Sequence, residues 1–284
     1  MNAFVIKRVL GTAAVGMAAF AMMFGCSEGV AASAEVESAL ECTGAPPWRC
    51  QPAGLTALTD NGWTELAPSG WQHANRDAIA RIVQDASAPF SPDAVLEQVY
   101  PSGYTGGGEP AIQEYDFAAP AREVFVGAWF KFSPGWQGHV SGINKIVNVM
   151  TDASYGRTWA VLRAVGERDT NNNLTDGPFF VDVAFCARYG AHPGTNRNAT
   201  PVEVGRWHKL EWQIKGNTPG RSDGAVRWWV DGVLRGEYTG LDCVGSAMTW
   251  LEVAPTFGGL GDTKLRDDYV RFDHVYIATA GAAR

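Results

Sequence analysis

The stretch NTPGRSDGAVRWWVDG, residues 217–232, carries the strongest structural signal in the sequence. It begins as a polar loop with Gly and Pro and continues as an apolar run that ends at Asp231-Gly232. Successive side chains of a strand point to opposite faces, so the adjacent Trp228 and Trp229 must face opposite ways. An Asp-Gly pair between two apolar runs predicts a β-hairpin. We interpret Trp228 as core and Trp229 as a surface residue.

Alternation with a period of two continues on both sides of this stretch. The segment EVFVGAWFKF (123–132) places Val124, Val126, Ala128, Phe130 and Phe132 on one face, and Phe125, Trp129 and Lys131 on the other. DYVRFDHVYIATA (268–280) closes the pattern, whereas HANRDAIARIVQDA (73–86) favours a helix. Regular strands with short turns predict an all-β fold, and we favour a jelly-roll sandwich of two antiparallel sheets.

The N-terminus is typical of an exported protein. Lys7 and Arg8 precede a short apolar run, so residues 1–26 are predicted to be a signal peptide. Its end resembles a bacterial lipobox, which would lipidate Cys26, and cleavage after Ala34 is the alternative. The protein is then secreted, or held at the bacterial cell envelope with the lipid anchor as its one membrane attachment. We expect residues 27–62 to be a mobile lead-in and residues 63–284 to be the jelly-roll domain.

The cysteine count agrees with export. Removing Cys26 from the five cysteines leaves four, and an even count in an exported chain suggests disulfides. We expect the pairs Cys42–Cys50 and Cys186–Cys243, although spacing does not fix the connectivity. Reduced core residues remain the alternative for Cys186 and Cys243.

Several kinds of chemistry have no motif here. The chain lacks the G-x-S-x-G, H-E-x-x-H, P-loop and G-x-G-x-x-G patterns, and its five histidines have no metal-ligand spacing. No strand carries E-x-D-x-x-E or E-x-D-x-E, which disfavours a retaining glycosidase. The formal charge of −7, without a basic block, argues against a nucleic-acid partner.

Three segments together resemble a known group of proteins. They are W-H-x-φ-E at Trp207 to Glu211 (φ, apolar), the N-T-P-G-x-x-D-G loop with the strand that ends in W-φ-D-G, and the last strands in 257–278. In these the chain resembles secreted bacterial proteins of the concanavalin A-like lectin/glucanase superfamily, including its polysaccharide-lyase-like members. The resemblance covers about residues 125–280 and implies a jelly roll that binds a glycan on its concave sheet.

The same resemblance suggests catalytic residues. A lyase neutralises a uronate carboxylate, abstracts the adjacent proton and protonates the leaving oxygen. Arg163, Lys145 and Asn144 are candidates for the first task, and Tyr189 or His139 for the other two. The alginate-lyase signature R-x-E-x-x-R is absent, although QGH at 137–139 is similar to the family's Q-x-H.

Further residues are candidates for binding. Exposed aromatic rings stack on sugars, so Trp129 and Trp229 are predicted to be substrate-binding, together with the cations Lys131 and Arg188. His208 and His274 are interpreted as structural. The D-x-N-x-N spacing in 168–178 imitates a calcium loop and makes weak calcium candidates of Asp169, Asn171, Asn173 and Asp176. The alternative for that segment is a polar hairpin loop, and we predict no other cofactor.

Two functions remain open at this point. The first is a monomeric polysaccharide lyase that cleaves uronic-acid glycans by β-elimination. The second is a non-catalytic glycan-binding or adhesion lipoprotein of the cell envelope.

Overall fold

The computed structural model describes residues 42, 44–75, 79–151, 158–175, 179–183, 203–242 and 247–280. Across these ranges the chain forms strands and no helix, and none of them contains a helix that could span a membrane. In chain order the strands are β1 (Leu55–Gly62), β2 (Trp71–Asn75), β3 (Ala80–Val83), β4 (Val95–Tyr100), β5 (Ala111–Ala121), β6 (Glu123–Phe132), β7 (Ile143–Thr151), β8 (Thr158–Val165), β9 (Glu167–Arg168), β10 (Leu174–Thr175), β11 (Phe179–Val183), β12 (His208–Lys215), β13 (Gly224–Val230), β14 (Val233–Leu241), β15 (Met248–Phe257) and β16 (Asp268–Ala280).

Two antiparallel sheets form a sandwich. The eight-stranded sheet has the order β14-β13-β12-β6-β16-β4-β3, and β1 also pairs with β16. The six-stranded sheet has the order β11-β8-β7-β15-β5-β2. The main apolar core lies between the sheets. It includes the five alternate residues of β6 that the sequence pattern placed on one face, so the predicted fold class and the face assignment of β6 are confirmed.

Residues 217–232 form the predicted loop, strand and hairpin turn, and Asp231 makes local structural contacts. Asp231 and Gly232 both have positive φ, 53° and 81°, as a two-residue hairpin turn between β13 and β14 requires. The Asp231 carboxylate also accepts from the Lys209 backbone N–H and bonds the His208 ring at 3.0 Å. His208 is therefore structural, as predicted, and ties the start of β12 to this turn.

The predicted mobile lead-in is corrected for the part that the structure describes. Residues 55–62 form β1, which pairs with β16 along its whole length. Before it, Cys42 and Cys50 form the predicted disulfide, and Trp48 is buried against Tyr276 of β16, with ring centroids 5.6 Å apart. The sheet therefore begins at residue 55 rather than near Trp63, and the predicted signal peptide lies outside the described residues.

The predicted helix over 73–86 is also wrong. Residues 71–75 and 80–83 are strands β2 and β3, which belong to different sheets. Each is an edge strand of its sheet, and short edge strands expose one side, so a mixed polar pattern in them imitates a helix.

Candidate functional site

The outer face of the eight-stranded sheet, on the side away from the core, is covered by the chain itself. Residues 44–54, which we call the N-terminal strap, lie over this face. Beneath it Trp229 is only 3% exposed and packs in a cluster with Trp48, Phe125 and Tyr276. Trp129 packs against the same cluster. The prediction that Trp229 offers an open stacking face is therefore wrong, and Trp129 is half-buried beside it.

Lys131 lies on this same outer face, and its ammonium group is already paired within the protein. Its Nζ forms an ion pair with Asp85 and bonds Ser87 Oγ at 3.1 Å. Asp85 also receives Arg271 at 2.8 Å, and these donors hold the pKa of its carboxyl well below the usual range despite its burial. Lys131 is buried in this network, which contradicts its prediction as a substrate-binding cation.

The outer face of the six-stranded sheet is different. On β15, Leu251 and Val253 enter the core, so Glu252 between them points outward, and it is partly exposed. Strand pairing places Glu252 directly opposite Glu114 of β5 on one side and Asn148 of β7 on the other. We call this row of polar side chains the acidic row. Gln72 of the edge strand β2 extends it, opposite Glu114.

Two carboxylates at directly opposite positions of neighbouring strands repel each other and destabilise the sheet. Trp250 Nε1 donates to Glu252 Oε1 at 3.1 Å, and Gln72 donates to the nearby Asp116 at 2.7 Å. Burial, and repulsion from Asp116 and Glu252, raise the pKa of Glu114. The acidic row therefore contains one carboxyl that holds its proton more readily than an ordinary glutamate does.

A second row lies beside the first and has the opposite charge. Lys145 of β7 is directly opposite Arg163 of β8 and opposite Thr256 of β15. Lys145 is partly exposed on the outer face. We call Lys145 and Arg163 the basic row. Strand pairing thus places two of the predicted catalytic residues at directly opposite positions of neighbouring strands.

The other predicted catalytic residues are not brought to this face. Asn144 is fully buried on the core side, where it accepts a hydrogen bond from Trp136 Nε1 at 3.1 Å. His139 is only 1% exposed, bonds Ser141 Oγ at 2.7 Å and packs edge-on against Phe257. Burial lowers the pKa of His139. Both predictions of an active-site role are contradicted by this placement, and Tyr189 and Arg188 lie outside the described residues.

The end of the sandwich next to His139 is a buried polar cluster. Lys264 Nζ bonds Asp268 Oδ2 at 2.7 Å and the Gln137 carbonyl at 3.0 Å, and it lies 3.3 Å from the Trp136 ring centroid. Burial lowers the pKa of Lys264 to about 7, although Asp268 opposes the shift. Gln137 is itself held by Asp268 through its backbone N–H. The QGH similarity therefore marks a loop anchor rather than a catalytic pair.

In the predicted calcium loop, the candidate ligands already form hydrogen bonds with other groups of the protein. The Asp169 carboxylate accepts the backbone N–H groups of Asn171 and Asn173, both at 2.8 Å. The guanidinium of Arg266 bonds the Asn173 side-chain oxygen, so a cation of the protein already occupies this position. In the ranges that the structure describes, no group of three acidic, His or Cys side chains is arranged to hold a metal. The polar hairpin loop is the better description, and Asp176 lies outside those ranges.

Sequence reasoning missed the acidic row. The segment AIQEYDF in β5 alternates, which was a usable signal that Glu114 and Asp116 share one face. Nothing in the pattern gives the register between β5 and β15, which are distant in sequence, so the pairing with Glu252 was not predictable. The pair Cys186–Cys243, like Cys26, lies outside the described residues and stays a prediction.

Comparisons with known proteins identify the fold. No family model matches the chain, and no curated protein sequence is significantly similar to it. Among solved structures, the endo-β-1,4-glucuronan lyase from the fungus Trichoderma reesei has a TM-score of 0.56 at 18% identity, over 79% of this chain and 96% of that one. The marine PL-14 alginate lyase from Aplysia kurodai has a TM-score of 0.56 at 13% identity, over 79% and 99%. An alginate lyase from a Chlorella virus has a TM-score of 0.53 at 12% identity, over 79% and 100%. The chain therefore shares the jelly-roll fold of these polysaccharide lyases.

Proposed function

We propose that the protein binds an acidic extracellular polysaccharide on the outer face of the six-stranded sheet and cleaves it by β-elimination. The observation that carries the proposal is the basic row, in which Lys145 lies opposite Arg163. Like charges at directly opposite positions destabilise a sheet, so their presence favours an anionic ligand between them. The fold shared with two alginate lyases and a glucuronan lyase supports the same reaction class.

The chemistry divides between the two rows. Lys145 and Arg163 stabilise the negative charge that develops on the uronate carboxylate when the adjacent proton is removed. Tyr189 remains our candidate for the base that removes the proton beside the carboxylate. Glu114, with its raised pKa, is suited to protonate the leaving oxygen, because a general acid must still hold its proton at the working pH.

A second candidate function is glycan hydrolysis, and one observation favours it. Directly opposite residues have Cβ atoms about 4.5–5.5 Å apart. Retaining glycosidases use two carboxyl groups about 5–5.5 Å apart, and the register of β5 and β15 brings Glu114 and Glu252 to opposite positions on two strands, where such a pair could form. In this alternative Glu114 is the general acid and Glu252 is the nucleophile.

One experiment separates the candidates. The purified protein is incubated with a panel of uronic-acid and neutral polysaccharides, and both new reducing ends and the ultraviolet absorbance of unsaturated products are recorded. A lyase raises both signals, a hydrolase raises reducing ends alone, and a binding protein raises neither while retaining the glycan in an affinity gel. Absence of the ultraviolet signal on every acidic glycan would refute β-elimination.

Variants test the two rows separately. Lys145→Met should lower the rate on an acidic glycan by about 10²-fold or more, the typical cost of losing one charge-stabilising group. Lys215→Met is the matched control, because Lys215 is an exposed lysine on the other sheet. Glu252→Gln should abolish hydrolysis if the second candidate is correct. If Lys145→Met and Lys215→Met have equal rates, the basic row is not the site.

Export and anchoring remain part of the proposal. We propose that the protein acts outside the cell, either released after Ala34 or attached through a lipid on Cys26. Mass spectrometry of the mature N-terminus distinguishes these, since a start at Glu35 excludes the anchor. A lipidated Cys26 on a protein that binds glycans without cleaving them would support the adhesion alternative.

A further inference from the structure

We propose that the protein has a second, independent site, a Ser–His–Asp arrangement at Ser91, His274 and Asp60 that hydrolyses small neutral acyl esters. Ser91 Oγ lies 3.1 Å from His274 Nε2, and His274 Nδ1 lies 3.0 Å from Asp60 Oδ1. This is the order of atoms that activates a serine nucleophile, with the base on one ring nitrogen and a carboxylate on the other. The proposal does not rest on either row of the six-stranded sheet.

The tautomer follows from the contacts. A carboxylate only accepts hydrogen bonds, so Asp60 takes the proton of Nδ1–H. Nε2 of the neutral ring is then the acceptor for the Ser91 hydroxyl, and it can receive that proton. Asp60 acts through the ring and is a positioning residue, whereas Ser91 and His274 are the groups that react.

Three separate elements build the arrangement. Asp60 is in β1, His274 is in β16, and Ser91 is in the loop between β3 and β4. Gly62 pairs with His274, and a Cβ at Gly62 would lie 2.9 Å from His274 Nε2 and 3.2 Å from Ser91 Oγ. Any other residue there would therefore push into the bond between Ser91 and His274.

The loop that carries Ser91 is fixed on β16. The buried Asp273 accepts the backbone N–H of Ser91 at 2.9 Å through one oxygen and that of Phe90 through the other. The Ala94 backbone N–H closes the turn onto the Ser91 carbonyl at 3.0 Å. Ser91 is thus held by its backbone, independently of its side-chain contact with His274, as a preorganised nucleophile requires.

The site is accessible and has a recognisable chemical character. The side chains of His274 and Asp60 are 20% and 45% exposed, and Ser91 is partly exposed. Phe90 is 42% exposed and packs its ring 5.0 Å from that of His274. An exposed ring on one side suits an apolar acyl group, whereas the Asp60 carboxylate on the other repels an anionic one. These neighbours favour a small, uncharged acyl ester.

The reaction balances with water as the second substrate. Ser91 Oγ forms a bond to the acyl carbon while its proton moves to His274 Nε2. The bond between the acyl carbon and the alcohol oxygen then breaks, and His274 returns the proton to the departing alcohol. Water attacks the acyl-serine by the same route and releases the carboxylic acid and free Ser91.

A fluorophosphonate probe tests the nucleophile directly. Peptide mass spectrometry of the labelled full-length protein should find the modification on Ser91. p-Nitrophenyl acetate, a small neutral ester, should be hydrolysed, and Ser91→Ala or His274→Ala should lower that rate by about 10²–10⁴-fold. The control is Ser141→Ala, because Ser141 contacts the Nδ1 of the buried His139 and should leave labelling and hydrolysis unchanged.

The positioning role of Asp60 needs a readout that a structural role would not move. Asp60→Asn should slow labelling and lower kcat for p-nitrophenyl acetate with little change in KM, because the ring loses the partner that holds its reacting tautomer while the ester-binding surface is unchanged. Asp60→Glu should restore part of the rate. The opposing interpretation is a structural latch that holds β1 and the Ser91 loop on β16. If Ser91 is not labelled, and the three variants change only the melting temperature, the arrangement is that latch and the proposal is overturned.

Discussion

Truncating Trp48 to alanine tests whether the N-terminal strap belongs to the folded domain. Trp48 is 4% exposed, stacks on Tyr276 and occupies the space that a side chain at Gly127 would need, since a Cβ there would lie 2.4 Å from the indole ring. Gly127 lies on β6, between β12 and β16, at the middle of the eight-stranded sheet. The indole therefore fills a position made for it, and its removal leaves a gap over the sheet.

The expected loss of stability follows from the buried area of Trp48 and from the opposing cost of burying its indole N–H. Burying a tryptophan removes about 150–250 Å² from water, which at about 25 cal/mol per Å² is roughly 4–6 kcal/mol as an upper value. The Trp48 indole N–H has no hydrogen-bond partner within the described part of the chain, so its burial costs about 1 kcal/mol or more. We expect Trp48→Ala to lower the free energy of unfolding by about 3 kcal/mol, within the usual range for large core truncations.

The assay is urea unfolding followed by circular dichroism for the wild type and two variants. Leu260→Ala is the control, because Leu260 is an exposed apolar side chain whose truncation should change stability by less than about 0.5 kcal/mol. Limited proteolysis should cut Trp48→Ala first within residues 44–54. A Trp48→Ala variant within about 0.5 kcal/mol of the control would show that the strap is the mobile lead-in that the composition suggested.

Three further predictions address the disulfide, the acidic row and the core. Cys42→Ser should lower the free energy of unfolding by about 2–3 kcal/mol, because a loop between cysteines 8 positions apart loses its constraint in the unfolded chain, and in reductant the wild type and the variant should be equally stable. Glu114→Gln should stabilise the protein at pH 7 but not at pH 4. Because the pKa of Glu114 is raised in the folded state, the folded protein binds more protons than the unfolded chain at pH values above the ordinary glutamate pKa. The stability of the wild type therefore falls as the pH rises through this range. An equal effect of Glu114→Gln on stability at both pH values would contradict this. Gly236→Ala should lower the free energy of unfolding by more than about 1–3 kcal/mol, because its Cβ would lie 1.9 Å from the Trp228 ring. Gly259→Ala is the control and should leave stability nearly unchanged, because its Cβ would have nothing within 4 Å. Equal melting temperatures for the two variants would refute the close packing at Gly236.

The sequence predicted those features of the fold that alternate along one strand. The face assignments of β6 and the Asp231-Gly232 turn depend on residues close together in the chain, and the structure confirms both. The same reasoning correctly separated Trp228 from Trp229 onto two faces. The same reasoning does not predict that the strap covers Trp229, because the strap is formed by residues that are far from Trp229 in the sequence.

The candidate site shows the same limit. Lys145 and Arg163 were selected separately for their charge, and only the pairing of β7 with β8 places them opposite each other. Glu252 cannot be recognised from the sequence, because its partner Glu114 lies on a strand that is distant in the chain. His139 was selected for a local motif, yet its role follows from burial against Phe257 and Ser141, which no motif reports.

The strap also explains why the two outward faces differ in what they can bind. Trp129, Trp229 and Phe125 form the kind of aromatic surface on which sugars stack. The protein covers that surface with its own Trp48, and stacking of indole on Tyr276 takes the place that a sugar ring would need. The cover continues into β1, and its Cys50 backbone N–H donates to Glu211 Oε1 of β12 at 3.1 Å, so uncovering the sheet would expose a large apolar patch and cost stability. The glycan that we propose as ligand is therefore left with the other sheet, whose outer rows carry Glu114, Glu252, Lys145 and Arg163, and these charges favour an ionic substrate over a neutral one.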